Sequence, residues 1–210
     1  MELSKVKAVV FDCDGVMFDT ALSNRKFYDE ILDAFGKPEL TEEQFINVHM
    51  MTVTAAIEYL FPEFGDHLPV YDKIRSIGYA KFIPYMQREK GLITLLGRLK
   101  EEGFIRGVAT NRTNTMESVL EDNQMTAMFE TVVTAADVKN PKPAPDQLQK
   151  IMDKFDLLPE EILFIGDSEY DRKAALAAGT WFVAFKNMGL EAHAHVTSMG
   201  ELAGLLNINE

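Results

Sequence analysis

The sequence predicts an α/β fold: a parallel sheet with helices on both faces, interrupted by one all-helical insertion. Three observations predict it. Short apolar runs rich in β-branched residues recur at 6–11, 105–109, 131–134, 162–165 and 181–185. Stretches of helical period lie between them, and strands alternating with helices call for a parallel sheet covered on both faces. Between the first two runs, from Asp19 to about Tyr85, the period is helical throughout.

The first run ends at Asp12-Cys13-Asp14-Gly15, two carboxylates one residue apart and a glycine that lets the chain turn away. Tyr28, Ile31, Leu32 and Phe35 then recur at helical spacing, and Gly36 and Pro38 close that helix. Thr41 with Gln44 gives a capping-box signature for the next. Further helices are expected over 54–60 and 70–86, with Pro62, Gly65 and Pro69 between them. We therefore expect a helical cap at 19–85 and a sheet domain made of 1–18 and 86–210, with hinges at the two crossings.

Beyond the insertion, Leu92, Leu95, Leu96 and Leu99 form an apolar stripe ended by Gly103. The next strand runs into Thr110-Asn111-Arg112, and Asn114 with Glu117 fits a helix start. Pro145 suits the first turn of the helix after strand 131–134. Strand 162–165 runs into Gly166-Asp167-Ser168, an alanine-rich helix reaches Gly179, and Ser198 with Glu201 caps a last helix.

At 210 residues and 47% hydrophobic content the chain can bury one sizeable core. Thirty-three acidic against 21 basic residues leave a net charge of −12, which disfavours a nucleic-acid partner. The single cysteine, Cys13, allows no internal disulfide and suits a reducing compartment. No apolar stretch approaches the ~20 residues of a membrane helix. Residues 1–5 lead into the first strand without a signal-peptide pattern. A cytoplasmic protein without a membrane partner is expected.

In an open parallel sheet, ligands bind beyond the carboxyl ends of the strands. Asp12 and Asp14, Thr110 and Asn111, and Gly166-Asp167-Ser168 all fall at such ends, so they should converge on one edge. Two acids packed together lose water and repel each other unless a cation or proton compensates. An oxygen-only cluster suits Mg2+. No His/Cys grouping has zinc spacing, and no glycine-rich loop ends in Gly-Lys-Ser/Thr.

Four segments in this order carry a family resemblance: Asp12-Cys13-Asp14-Gly15-Val16, Thr110-Asn111, Lys142-Pro143-Ala144-Pro145 and Gly166-Asp167-Ser168-Glu169-Tyr170-Asp171. They resemble the motifs of the haloacid dehalogenase superfamily. The insertion looks like the cap of its phosphoglycolate phosphatase and β-phosphoglucomutase branch. The resemblance covers essentially the whole chain. It implies a Rossmann-like core and a Mg2+-dependent phosphatase acting on a small phosphorylated metabolite.

It also implies roles. Asp12 would attack phosphorus to give an aspartyl-phosphate. Asp14 would protonate the leaving oxygen and then deprotonate water, so it must begin protonated, its pKa raised by Asp12 and a shielded pocket. Superfamily dehalogenases lack this second aspartate because halide leaves without a proton. Thr110 and the Asn111 amide would hold the phosphate, and Lys142, aimed by Pro141, Pro143 and Pro145, would steady the charge. Mg2+ would be held by Asp12, Asp167 and the backbone carbonyl of Asp14. Asp171 would support it through a water or Lys142.

Plainer readings stand beside these. Asp14 and Thr110-Asn111 could be turn formers, Lys142 a surface lysine, and Asp171 a helix-dipole charge. Ser168 fits either an N-cap or a supporting contact. Cys13, between two carboxylates, is rejected as a nucleophile. His193 and His195 are expected exposed in a polar loop, and Met50-Met51 as packing of the cap. Arg25, Lys26, His49, Lys73 and Arg75 read as solvated cap residues. Arg112-Thr113 departs from the family pattern, as does the missing Pro-Gly turn before Leu92, and both read as remote from the chemical step. Two further functions share these motifs: a mutase that returns the phosphoryl group to a sugar phosphate, and a catalytically silent phosphate-binding module.

Overall fold

The computed structural model describes residues 2–49 and 51–208. The chain forms two compact units, Met1–Asp19 with Arg88–Glu210, and Thr20–Gln87. In chain order the elements are β1 (Ala8–Phe11), β2 (Phe18–Asp19), α1 (Ala21–Ala34), α2 (Glu42–His49), α3 (Val53–Leu60), α4 (Leu68–Ile77) and β3 (Gln87–Arg88). Then come α5 (Leu92–Glu101), β4 (Ile105–Thr110), α6 (Met116–Asp122), β5 (Thr131–Thr134), α7 (Asp146–Phe155), β6 (Ile162–Gly166), α8 (Glu169–Ala178), β7 (Trp181–Phe185), β8 (Ala194–Val196) and α9 (Met199–Leu205).

The first unit is a six-stranded sheet in the order β5-β4-β1-β6-β7-β8, every neighbouring pair parallel. β1 lies in the middle, and its side chains are buried on both faces, which is why it reads as an unbroken apolar run. On one face Val10, Ala109 and Phe164 meet Leu148 and Ile151 of α7 and Ala174 and Ala175 of α8. On the other, Val9, Phe11, Leu163 and Ile165 are buried, and α5 lies against β4. Each large apolar side chain so buried contributes about 1.5–3 kcal/mol. The register sets Phe11 opposite Val108 and Ile165, so Asp12 follows beside the ends of β4 and β6.

The α/β class holds as expected, with one strand more in the six-stranded sheet than the sequence suggested, and with the two-residue β2 and β3 besides. β8 pairs in parallel with β7 and carries His195, which the sequence placed in a loop. Three residues with a polar centre are too few to show a strand period. The start of α6 also differs. Its N-cap is Thr115 without a side-chain bond, so Asn114 does not cap it.

The second unit is helical. Phe27, Ile31, Phe45, Ile57, Phe61 and Phe82 share its core. Phe27 meets Tyr79 and Phe82 edge to face at 5.1 and 5.6 Å, an arrangement favoured by ring quadrupoles. Thr41 and Gln44 make the expected reciprocal cap, at 3.2 and 3.0 Å. The single helix expected over 70–86 is two pieces. α4 ends at Gly78, and a 3-10 turn follows over Ala80–Tyr85 with Pro84 inside it. Met51 lies against the core of this unit, whereas Met50 is outside the described residues.

Candidate active site

The site begins where β1 stops. The Asp12 N–H donates to the Ile165 carbonyl at 2.9 Å, extending the β1–β6 ladder one step past the strand. The chain then folds back, with the Gly15 N–H donating to the Phe18 carbonyl at 2.8 Å. Gly15 has φ +77°, and a Cβ there would stand 1.9 Å from Asp167 Oδ2. Only glycine fits this place, because the Asp167 carboxylate rests against its backbone.

Lys142 reaches the same point from the loop before α7. Its side chain is almost wholly buried. Its ammonium lies 2.8 Å from Asp12 Oδ1, donates to Asp171 Oδ1 at 2.6 Å and donates to the Ala109 carbonyl at 2.9 Å. Burial opposes its charge, but Asp12 and Asp171 prevail and hold it above the usual lysine range. Asp171 spends its other oxygen on Ser168, accepting from the N–H at 3.0 Å and the hydroxyl at 2.5 Å. Ser168 in turn accepts from the Asp171 N–H at 3.3 Å, so it is the N-cap of α8 and a support for Asp171 at once.

Asp12, Asp167 and Asp171 each offer a carboxylate oxygen within 4.8 Å of the others. One ammonium does not balance three carboxylates, two of them buried and that of Asp167 half-buried. Burial, reinforced by Asp171 and Asp14 against the pull of Lys142, raises Asp12 to about 7. Burial with Asp171 and Asp12 also lifts Asp167 well above the carboxylate range. Asp12 Oδ1 has the Lys142 ion pair but no aligned hydrogen bond. A set of under-neutralised carboxylate oxygens is what a hard divalent cation binds, so the residues present fit Mg2+.

The Asp14 side chain does not join this cluster. Arg112 grips it with both arms, Nε to Oδ2 at 2.8 Å and an Nη to Oδ1 at 2.7 Å. Arg112 is buried, so this is a shielded, bidentate ion pair of the strong kind. The sequence reading set Arg112 apart from the chemistry, and the structure puts it on one of the two motif aspartates. A single arginine in a turn carries no sign of a partner 98 positions earlier.

Thr110 is fully buried at the end of β4, its hydroxyl oxygen accepting from the Arg112 N–H at 3.2 Å. The Asn111 side chain donates to the Lys142 carbonyl at 3.1 Å and leaves its buried Oδ1 without a hydrogen bond. Asn187, which no motif marks, donates to the Asp167 carbonyl at 2.8 Å from the loop after β7.

Other expected residues lie apart. Cys13 is buried, and burial with the Asp14 charge pushes its thiol up, consistent with its rejection as a nucleophile. His193 is exposed, although its Nδ1 accepts from the Phe182 N–H at 3.1 Å. His195 is half-buried on β8 and bonded to the Leu190 carbonyl at 2.8 Å, so the loop reading fails for it. In the helical unit, Lys73 and Arg75 are exposed. Arg25 bonds Glu42 and the Leu40 carbonyl, Lys26 lies over the Tyr85 ring, and His49 Nδ1 is 3.2 Å from the Asn24 amide.

Residues 9–185 match the family model described as haloacid dehalogenase-like hydrolase. The chain is 27% identical over 198 residues to the phosphoglycolate phosphatase of Escherichia coli K12, covering 83% of this chain and 79% of that one. It is 38% identical to a HAD-superfamily hydrolase of subfamily IA from Geobacter sulfurreducens. That crystal structure superposes with a TM-score of 0.78, covering 96% of this chain and 97% of the other. A β-phosphoglucomutase structure from Clostridium difficile shares the fold, with a TM-score of 0.83, 18% identity and coverage of 94% and 93%.

Proposed function

The chain belongs to the haloacid dehalogenase-like hydrolase family and is a phosphatase; from that premise we propose that it hydrolyses a small phosphate monoester, of phosphoglycolate or sugar-phosphate type, with Mg2+ and through an aspartyl-phosphate on Asp12. The observation that carries the proposal is the Lys142 ammonium set between Asp12 and Asp171, with Asp167 in the same cluster. Asp12 is a weak nucleophile, so alignment and charge neutralisation supply most of the rate.

In this reading a carboxylate oxygen of Asp12 attacks phosphorus while the ester P–O bond breaks. Asp14 gives its proton to the departing oxygen. Asp14 then takes a proton from water, whose oxygen attacks phosphorus, freeing inorganic phosphate and restoring Asp12. Because Arg112 grips both Asp14 oxygens as an ion pair, that grip must open on one of them and Asp14 must take up a proton from solvent before it can deliver one. Thr110 and the Asn111 N–H hold phosphoryl oxygens, and Lys142 neutralises charge between them and Asp12. Asp12, Asp167 and the Asp14 main-chain carbonyl are the residues that would hold Mg2+, which would supply further positive charge at the phosphoryl group and keep Asp12 ionised. We assign choice of the substrate's remainder to the helical unit, which the chain enters at Thr20, shortly after Asp14.

A panel of phosphorylated metabolites tests the reading. Mg2+-dependent release of inorganic phosphate is expected, with a loss of at least ~10³-fold in Asp12→Asn, as for removal of a nucleophile. Release by that variant at the parent rate overturns the assignment. Isomerised sugar phosphate without release would instead indicate a mutase.

A further inference from the structure

We infer that Gln147 is a positioning residue for phosphate binding, holding Thr110 and Lys142 in a common frame. The sequence gives no reason to single it out, since it is one polar residue in the first turn of α7. The structure buries it completely. A buried amide must satisfy both of its ends, and both ends of this one go to the site. Its Nε2 donates to the Thr110 carbonyl at 2.6 Å, and its Oε1 accepts from the Lys142 N–H at 3.1 Å. No other side chain described at the site bonds the backbone of both residues.

The consequence follows from what those two residues reach. Lys142 N–H is tied by Gln147, and the Lys142 carbonyl is tied by the Asn111 side chain at 3.1 Å. Both main-chain polar groups of Lys142 are thus fixed by amide side chains. Its buried ammonium, on a long side chain with several rotatable bonds, is then aimed from a fixed root at Asp12, Asp171 and the Ala109 carbonyl. The same amide sets the Thr110 carbonyl and, with it, the end of β4. A phosphoryl group meeting Thr110 and Lys142 therefore depends on one glutamine for the spacing of its two contacts. A misplacement of about 1 Å in such a pair costs up to ~10²-fold. Among the described residues Gln147 bonds none of Asp12, Asp167 and Asp171 and reaches that cluster only through Lys142, so its loss should disturb phosphate binding more than cation binding.

This inference rests on the reading that Thr110 and Lys142 hold the phosphoryl group. Gln147→Met keeps the volume and removes both hydrogen bonds. Gln147→Glu keeps the acceptor for the Lys142 N–H and turns the donor to Thr110 into a second acceptor that opposes the Thr110 carbonyl. The measurements are the inhibition constant of inorganic phosphate against p-nitrophenyl phosphate hydrolysis, and the Mg2+ dissociation constant by calorimetry. We expect Gln147→Met to weaken phosphate by about tenfold, the scale of a lost buried hydrogen bond, with Mg2+ affinity within twofold of the parent. Gln147→Glu should also weaken phosphate selectively. Unchanged phosphate inhibition in Gln147→Met overturns the inference, and so does an equal loss of phosphate and Mg2+ affinity, which would mark a merely structural residue. If Gln147→Met does not fold, the same two constants for Gln147→Glu decide: selective weakening supports the role, and anything else overturns it. A parent that neither hydrolyses the ester nor binds phosphate overturns the proposed function itself.

Discussion

Asp12 shows most clearly how position creates reactivity. A carboxylate at this strand end is buried, faces Asp171 and Asp14, and has Lys142 as its counter-charge. Without a divalent cation its pKa rises from 3.8 to about 7. Between these values the folded chain keeps a proton that the unfolded chain has lost, so this group weakens folding as pH rises through that window. Its contribution is most favourable below about 4 and is gone above about 7. We predict that metal-free parent protein loses melting temperature relative to Asp12→Asn as pH goes from 4 to 7.5, and that Mg2+ removes the difference. Parallel melting profiles of parent and variant would contradict this. Asp12 and Asp14 were legible as candidates because two acids closing an apolar strand is a local signal. Arg112, which grips Asp14, was not, because its partner is supplied by the fold.

At the scale of elements, the site depends on how strands end and helices begin. β1 closes in a turn at Gly15, and α8 opens in a cap made by Ser168 and Asp171. The two junctions meet where the Asp167 carboxylate lies against the Gly15 backbone. Gly15→Ala adds a Cβ 1.9 Å from Asp167 Oδ2 and forces a side chain into a positive-φ conformation. We expect it to destabilise the chain by ~1–3 kcal/mol and to weaken Mg2+ binding by ~10–100-fold, as for other disturbed ligand supports. Calorimetric titration with Mg2+ checks this, and unchanged affinity would refute it. Junctions of this kind were largely readable beforehand. The caps at Thr41, Ser168 and Ser198 and the start of α7 at Pro145 act over three or four residues, so their partners are visible in the chain itself. β8 and the break at Gly78 were missed because a three-residue strand is set by its neighbour, and a helix end there competes with good periodicity on both sides.

On the scale of the whole molecule, the proposed substrate is an anionic ester and the chain has a net charge of −12, which is electrostatically adverse. The sheet meets the difficulty by bringing Lys142 and a carboxylate cluster that fits a divalent cation to the carboxyl ends of adjacent central strands. Parallel pairing around β1 makes that convergence possible; the parallel sheet was legible from alternating strand and helix periods, the order of its strands was not. The side-chain amides of Gln147 and Asn187, which bind the converging loops to one another, were not legible either, and Asn111 was singled out for its main-chain N–H and not for its side chain, because glutamine and asparagine in a loop or first turn look alike whether they face water or the site. Among the described residues no helix is long and apolar enough to cross a membrane. The central claim is that Asp12 becomes phosphorylated. Rapid acid quench of the first turnover with a labelled phosphate ester and Mg2+, followed by peptide mapping, tests it most directly. We predict acid-stable, hydroxylamine-sensitive label on the peptide that carries Asp12, absent in Asp12→Asn; label on another residue, or full turnover with no labelled peptide at any time, would contradict it.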